Sequence, residues 1–76
     1  MNKARRKAID AIVARIDELK ADVEIIRDEE QDYFDNMPEG IQDGEKGEVA
    51  QSAIDSLDDA VNTIDDIVES LNSAAE

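Results

Sequence analysis

The chain has no cysteine, no histidine and no tryptophan, and it has only one proline, one tyrosine and one phenylalanine among its 76 residues. Without cysteine there is no disulfide and no thiolate metal site, and without histidine the commonest zinc ligand and the commonest general base are missing. The sequence also lacks the run of about 18 apolar residues that a membrane-spanning helix needs. It therefore predicts no metal, no cofactor and no membrane segment, and it predicts that the protein is not an enzyme.

Basic residues are scarce as well, and they are unevenly distributed. Eight Lys and Arg residues stand against 21 Asp and Glu residues, which gives a net charge of −13. Residues 28–76 hold one lysine against sixteen acidic residues, whereas residues 1–27 hold seven basic residues against five acidic ones. Such an acidic body repels nucleic-acid phosphates and anionic lipid headgroups, and it attracts basic protein surfaces. Direct binding to nucleic acid or to a membrane is therefore not expected.

The basic start of the chain is not expected to be a signal peptide. Asp10, Arg15 and Asp17 interrupt the segment that would have to serve as its apolar region. The expected compartment is therefore the cytoplasm.

Apolar residues recur with a seven-residue period in two long segments. In the first segment, position a holds Ile9, Ile16 and Val23, and position d holds Ile12, Leu19, Ile26 and Tyr33. In the second segment, position a holds Ile54, Val61 and Val68, and position d holds Leu57, Ile64 and Leu71. This period predicts amphipathic helices at about 3–35 and about 45–74.

The residues between these helices predict a turn at about 36–44. Pro38 cannot continue a helix, and Gly40 and Gly44 loosen the chain. A short connection between long helices makes them antiparallel neighbours. The sequence therefore predicts an all-α, coiled-coil-like antiparallel helical hairpin that forms a single domain over residues 1–76.

Matching the apolar layers of the two helices gives a single register. It pairs Ile9 with Leu71, Ile12 with Val68, Ile16 with Ile64, Leu19 with Val61, Val23 with Leu57, and Ile26 with Ile54. The next layers place Tyr33 opposite Gly47, where the missing side chain leaves room for the ring. The predicted result is a hydrophobic plug at the turn, made of Tyr33, Phe34, Met37, Ile41 and Gly47. The alternative is that its polar rim of Asp35, Asn36 and Glu39 forms a recognition tip.

Two helices cannot cover every apolar column of the second helix. The column before each a position holds Ala53, Ala60, Ile67 and Ala74. A second hairpin could cover it, so a homodimer that forms a four-helix bundle is expected. On the other flank, Lys20 and Arg27 are expected to lie beside Asp58 and Asp65.

The second helix also carries a strip of carboxylates. Aspartate pairs recur every seven residues, about 10 Å apart along the axis, and the predicted partner-binding residues are Asp55, Asp58, Asp59, Asp65, Asp66 and Glu69. One interpretation is a solvated face that only keeps the rod soluble. The other is an interaction surface that imitates a row of phosphates.

The stretch "EEQDYFDNMPEGIQDGEKGE", followed by an acidic Ile/Leu heptad helix, resembles small helical proteins encoded by bacteriophages and prophages. The resemblance covers about residues 18–72. It implies an accessory protein that works in an infected or lysogenic bacterial host. There it would bind the basic surface of a host defence protein or nucleic-acid-binding protein and inhibit that protein. The alternative is a structural or assembly module that packs against partner helices through Ala60 and Ile67.

Overall fold

The structure is a computed structural model that describes residues 1–76. It contains three helices, α1 (Lys3–Asp35), α2 (Glu39–Gln42) and α3 (Glu45–Ala75), and no strand. The molecule measures 58 × 15 × 11 Å, so it is a rod rather than a sphere. The predicted all-α class is confirmed, and the bounds of the two long helices lie within one residue of those expected.

Residues at the two ends of α1 explain where this helix begins and ends. Asn2 is its N-cap, and the Asn2 Oδ1 atom accepts a hydrogen bond from the backbone N–H of Arg5 at 2.8 Å. This cap satisfies one of the free N–H groups of a first turn that has no acidic residue. The helix ends at Asp35 because Pro38 restricts Met37 to extended geometry.

The predicted turn is more ordered than expected, because it contains the single-turn helix α2. The Pro38 carbonyl accepts hydrogen bonds from the backbone N–H groups of Ile41 (2.8 Å) and Gln42 (3.0 Å). Pro38 therefore stops α1 and also starts α2, since its fixed φ suits the beginning of a helix. The helix α3 then starts after Gly44 with Glu45 and Glu48 in its first turn, where negative charge is favourable.

The helix α1 packs along α3, and two ion pairs show how the helices are aligned. The Lys20 Nζ atom lies 2.7 Å from the Asp65 Oδ1 atom, and the Arg27 Nε atom lies 2.8 Å from the Asp58 Oδ1 atom. The earlier residue of α1 meets the later residue of α3, so the contacts run in opposite directions along the two helices. The predicted pairing of these charges is confirmed.

The fully buried core is very small. Only Gly47, Ala50 and Ile54 are buried, and all three lie in the first half of α3. The helix α1 has no buried residue at all. The layers that hold the two helices together are therefore mostly half-buried.

The side of α1 that faces α3 differs from the prediction. The half-buried positions of α1 repeat as two columns, one of which holds Ile9, Ile16 and Val23, and the other Val13, Lys20 and Arg27. The predicted d column of Ile12, Leu19, Ile26 and Tyr33 is exposed, with Leu19 exposed to 60% and Ile26 to 55%. The predicted core layers that include these four residues are wrong. Either neighbour of the a column could have faced α3, and in the structure the column of Val13, Lys20 and Arg27 does so.

The plug predicted at the turn is also corrected. A Cβ atom on Gly47 would overlap the backbone carbonyl group of Gln42, so Gly47 is needed for the close approach of α2 rather than for the ring of Tyr33. Phe34 and Met37 are half-buried, whereas Tyr33 and Ile41 are exposed. Gln42 fastens α2 to the end of α1, because its Nε2 atom donates a hydrogen bond to the Phe34 carbonyl at 2.9 Å.

Candidate interaction surface

One side of the helix pair carries two lines of exposed or half-exposed apolar residues. On α1 this line is the heptad column that the structure turns away from α3. On α3 this line is the column of Ala53, Ala60, Ile67 and Ala74, each of which comes one residue before a buried or half-buried residue. Val49, near the start of α3, also belongs to this line. We call this surface the apolar stripe and define it by its members: Ile12, Leu19, Ile26, Tyr33, Val49, Ala53, Ala60, Ile67 and Ala74.

Helix geometry explains why the two lines share one side. Ile26 comes one position before the inward residue Arg27, and Ala53 comes one position before the buried Ile54. On each helix, a step of one residue along the chain turns the side chain by about 100° around the helix axis, with the same handedness relative to the chain direction. Because α1 and α3 run in opposite directions, this turn brings both lines to the same side of the pair.

A groove near the turn joins the two lines. It has a volume of about 360 Å³, and it is lined by Glu30, Tyr33, Glu45, Lys46, Val49 and Ala50. Tyr33 of α1 and Val49 of α3 therefore border a single depression. This groove is the one place where the stripe offers a concave apolar site with an aromatic ring at its edge.

The predicted dimer column lies within this stripe. Ile67 is exposed, Ala53 and Ala60 are half-buried, and Ala74 is exposed. Sequence reasoning missed the α1 half of the surface, because it assigned Ile12, Leu19 and Ile26 to the core. The sequence signal that could have shown which side of α1 faces α3 was the basic pair Lys20 and Arg27, whose spacing matches that of Asp58 and Asp65.

The structure divides the predicted acidic strip into paired and free carboxylates. Asp58 and Asp65 are engaged by Arg27 and Lys20. The hydrogen bond to Asp65 raises the pKa of Lys20, and the hydrogen bond to Asp58 raises the pKa of Arg27. These two carboxylates therefore contribute to the α1–α3 contact in the free protein.

The other members of the strip make no ion pair within the chain. Asp55 accepts a hydrogen bond from the Gln51 Nε2 atom at 3.0 Å, and both residues are exposed. Asp59, Asp66 and Glu69 are exposed on the same helix. The strip thus presents alternating free and neutralised carboxylates rather than a uniform row.

No group of three or more His, Cys, Asp or Glu side chains is arranged to hold a metal ion. No helix is long and apolar enough to cross a membrane. No protein-family model, curated protein or solved structure matches the chain. The resemblance to phage-encoded proteins therefore stays a prediction.

Proposed function

We propose that the protein is a non-enzymatic assembly module, a helical hairpin that packs against partner helices through the apolar stripe. The observation that carries this proposal is the exposure of large apolar side chains along one side of a chain with almost no core. Six of the nine large apolar residues that are at least 41% exposed belong to the stripe. The only fully buried apolar side chains are those of Ala50 and Ile54. Contiguous exposed apolar surface on a small protein marks an interaction site.

Adjacent isoleucines provide a matched test of this proposal. Ile25 and Ile26 are both 55% exposed, but Ile26 lies in the stripe. Ile25 lies midway between the inward residues Val23 and Arg27, so it points away from α3. We expect Ile26→Glu to weaken binding to the wild-type protein or to a bacterial partner at least tenfold. Ile25→Glu should leave that binding within about twofold.

The measurement is binding to immobilised variants, with a labelled wild-type chain and a bacterial extract as the two binding samples. Circular dichroism of both variants shows whether each remains helical. Equal binding by Ile25→Glu and Ile26→Glu would contradict the proposal, because the charge would then act without regard to the stripe.

A second candidate function is binding to the basic surface of a host protein, with inhibition of that protein by nucleic-acid mimicry. Its site would be the free carboxylates Asp55, Asp59, Asp66 and Glu69, together with Asp58 and Asp65 once they leave their ion pairs. The observation in its favour is that Asp59 and Asp66 repeat at a seven-residue interval without an ion pair, in a chain of net charge −13. In this case the protein would act in the cytoplasm of an infected or lysogenic bacterium.

A further inference from the structure

We infer that the occupant of the apolar stripe is a second copy of this chain, packed so that the turn end of one copy lies over the open end of the other. The turn end is the end that contains α2, and the open end contains the start of α1 and the end of α3. This inference rests on the assembly role proposed for the stripe. It adds the identity of the partner and the orientation in which it binds.

The side of the rod that carries the stripe is large enough for a specific interface. The rod is 58 Å long and 15 Å wide, so one side offers a footprint comparable with the roughly 800 Å² per partner of a standard interface. Oligomerisation is one way for a small chain to gain buried surface, and only two apolar residues, Ala50 and Ile54, are buried in the single chain. A second copy supplies apolar surface along the full length of the rod, which a short peptide would not do.

The α1 half of the stripe is symmetric about its own centre. The point halfway between Ile12 and Tyr33 is also the point halfway between Leu19 and Ile26, and it lies between Asp22 and Val23. A two-fold axis through this point, perpendicular to the helix, places Leu19 of one copy over Ile26 of the second copy. The same axis places Ile12 of one copy over Tyr33 of the second copy.

Within the α3 half of the stripe, Ala53, Ala60 and Ile67 are centred on Ala60, and Val49 and Ala74 lie outside this set. The point halfway between Ala53 and Ile67 is Ala60, so the same kind of axis places the large Ile67 of one copy over the small Ala53 of the second copy. Ala60 then meets Ala60 of the second copy at the axis, where two small side chains allow a close approach. Large residues face small ones on α3, as efficient packing between helices requires.

One axis can serve both helices because the two centres lie at nearly the same height. The ion pairs of Lys20 with Asp65 and of Arg27 with Asp58 show which residues of α1 and α3 are level. Relative to that alignment, the two centres differ by about 4 Å along the rod at 1.5 Å per residue, less than one helical turn. Side-chain interdigitation accommodates an offset of this size.

Charge selects this orientation over the alternative in which both turns lie at the same end. Residues 28–48 hold nine acidic residues and one lysine, whereas the open end, residues 1–7 with residues 66–76, holds four basic and three acidic residues. The inferred orientation brings the basic start of each copy over the acidic turn end of the other, and it places Arg15 level with Glu30 of the second copy. The alternative would stack the two acidic turn ends on each other, which like-charge repulsion disfavours.

Because the chain has no cysteine, single cysteines can test the orientation. The protein with Ala60→Cys should form a disulfide-linked dimer on mild oxidation, since a disulfide requires Cα atoms within about 7 Å. The matched control is Ser56→Cys, whose exposed side chain lies two positions after Ile54 and points away from α1. Ser56→Cys should give at least tenfold less linked dimer.

A mixture of the Tyr33→Cys and Val49→Cys chains tests the opposite orientation. The two residues border one groove within a chain, and they would meet between copies only if both turns lay at the same end. A strong cross-link in this mixture, together with none for Ala60→Cys, would overturn the orientation. Sedimentation of the unmodified chain at micromolar concentration should give twice its mass of 8.4 kDa.

A folded monomer in that sedimentation experiment would overturn the second copy as occupant. It would leave the assembly role intact if Ile26→Glu still lost a bacterial partner that Ile25→Glu kept. Failure of that contrast would instead remove the proposed function, so the two failures can be told apart.

Discussion

At the scale of single residues, Gly47 decides how the turn can pack. It lies inside α3, where a glycine costs roughly 1 kcal/mol of stability relative to alanine. The absence of a side chain at Gly47 allows α2 to pack closely on α3, because the backbone of Gln42 occupies the position that a Cβ atom on Gly47 would take. Gly40 lies in α2 and has no atom within 4 Å of the corresponding position. The two glycines therefore differ in packing although both are helical.

We expect Gly47→Ala to lower the free energy of unfolding although alanine is the better helix former. The added methyl group must push α2 away from α3, which as overpacking typically costs about 1–3 kcal/mol. Gly40→Ala is the matched control and should be neutral or stabilise the protein by up to about 1 kcal/mol. Urea denaturation followed by circular dichroism measures both. A Gly47→Ala protein more stable than wild type would mean that α2 does not pack on α3.

At the scale of helices, the rotation of α1 about its axis is the feature that creates the interaction surface. Lys20 and Arg27 occupy the flank of α1 that meets α3, where their charged groups reach Asp65 and Asp58. This rotation turns Leu19 and Ile26 outwards. Exposed ion pairs add little stability on their own, so these two pairs mark the alignment of the helices rather than drive it.

Exchanging the charges of one ion pair tests this alignment. Arg27→Glu should lower the melting temperature, because it places a carboxylate beside Asp58 where the Arg27 Nε atom now donates a hydrogen bond at 2.8 Å. Adding Asp58→Arg to that variant should restore most of the loss. The same Asp58→Arg change combined with Lys20→Glu is the control and should give no such recovery, because Lys20 pairs with Asp65. Equal recovery in both combinations would contradict the observed alignment.

At the scale of the whole molecule, the chain combines a strong net charge with an incomplete core. Its net charge of −13 opposes self-association at long range, whereas the apolar stripe favours association at contact. Salt screens the first effect within a Debye length of about 10 Å at 0.1 M and leaves the second in place. Ionic strength therefore separates the two candidate functions.

We expect added salt to strengthen binding through the stripe and to weaken binding through the acidic strip. Replacing the unpaired Asp55, Asp59 and Asp66 with Asn, and Glu69 with Gln, preserves side-chain size and leaves the α1–α3 ion pairs and the stripe unchanged. If the assembly role is right, the quadruple variant should bind its partner at least as well as wild type at every salt concentration. Binding that is lost in this variant and falls steeply with salt in wild type would favour nucleic-acid mimicry. Competition by DNA for the same partner would support that conclusion, and circular dichroism excludes loss of folding.

The seven-residue period was enough to determine the two long helices and their bounds, because it reflects only how side chains distribute around a single helix. It also predicted that the column of Ala53, Ala60 and Ile67 is uncovered, and the structure exposes Ile67 but leaves Ala53 and Ala60 half-buried. It could not decide which neighbour of the Ile9, Ile16 and Val23 column faces α3. Both neighbouring columns lie at similar angles, and the period contains no information about the partner helix.

Only the tertiary structure decided the rotation of α1 and the contact at the turn. The rotation depends on how α1 packs against residues of α3 that lie more than thirty positions away along the chain, as the pairs Lys20–Asp65 and Arg27–Asp58 show. The role of Gly47 depends on where the backbone of Gln42 comes to lie, and no local pattern encodes that position. Sequence alone therefore determined which segments are helical and that Ile67 of α3 is exposed. Packing decided that the column of α1 assigned to the core lies on the surface.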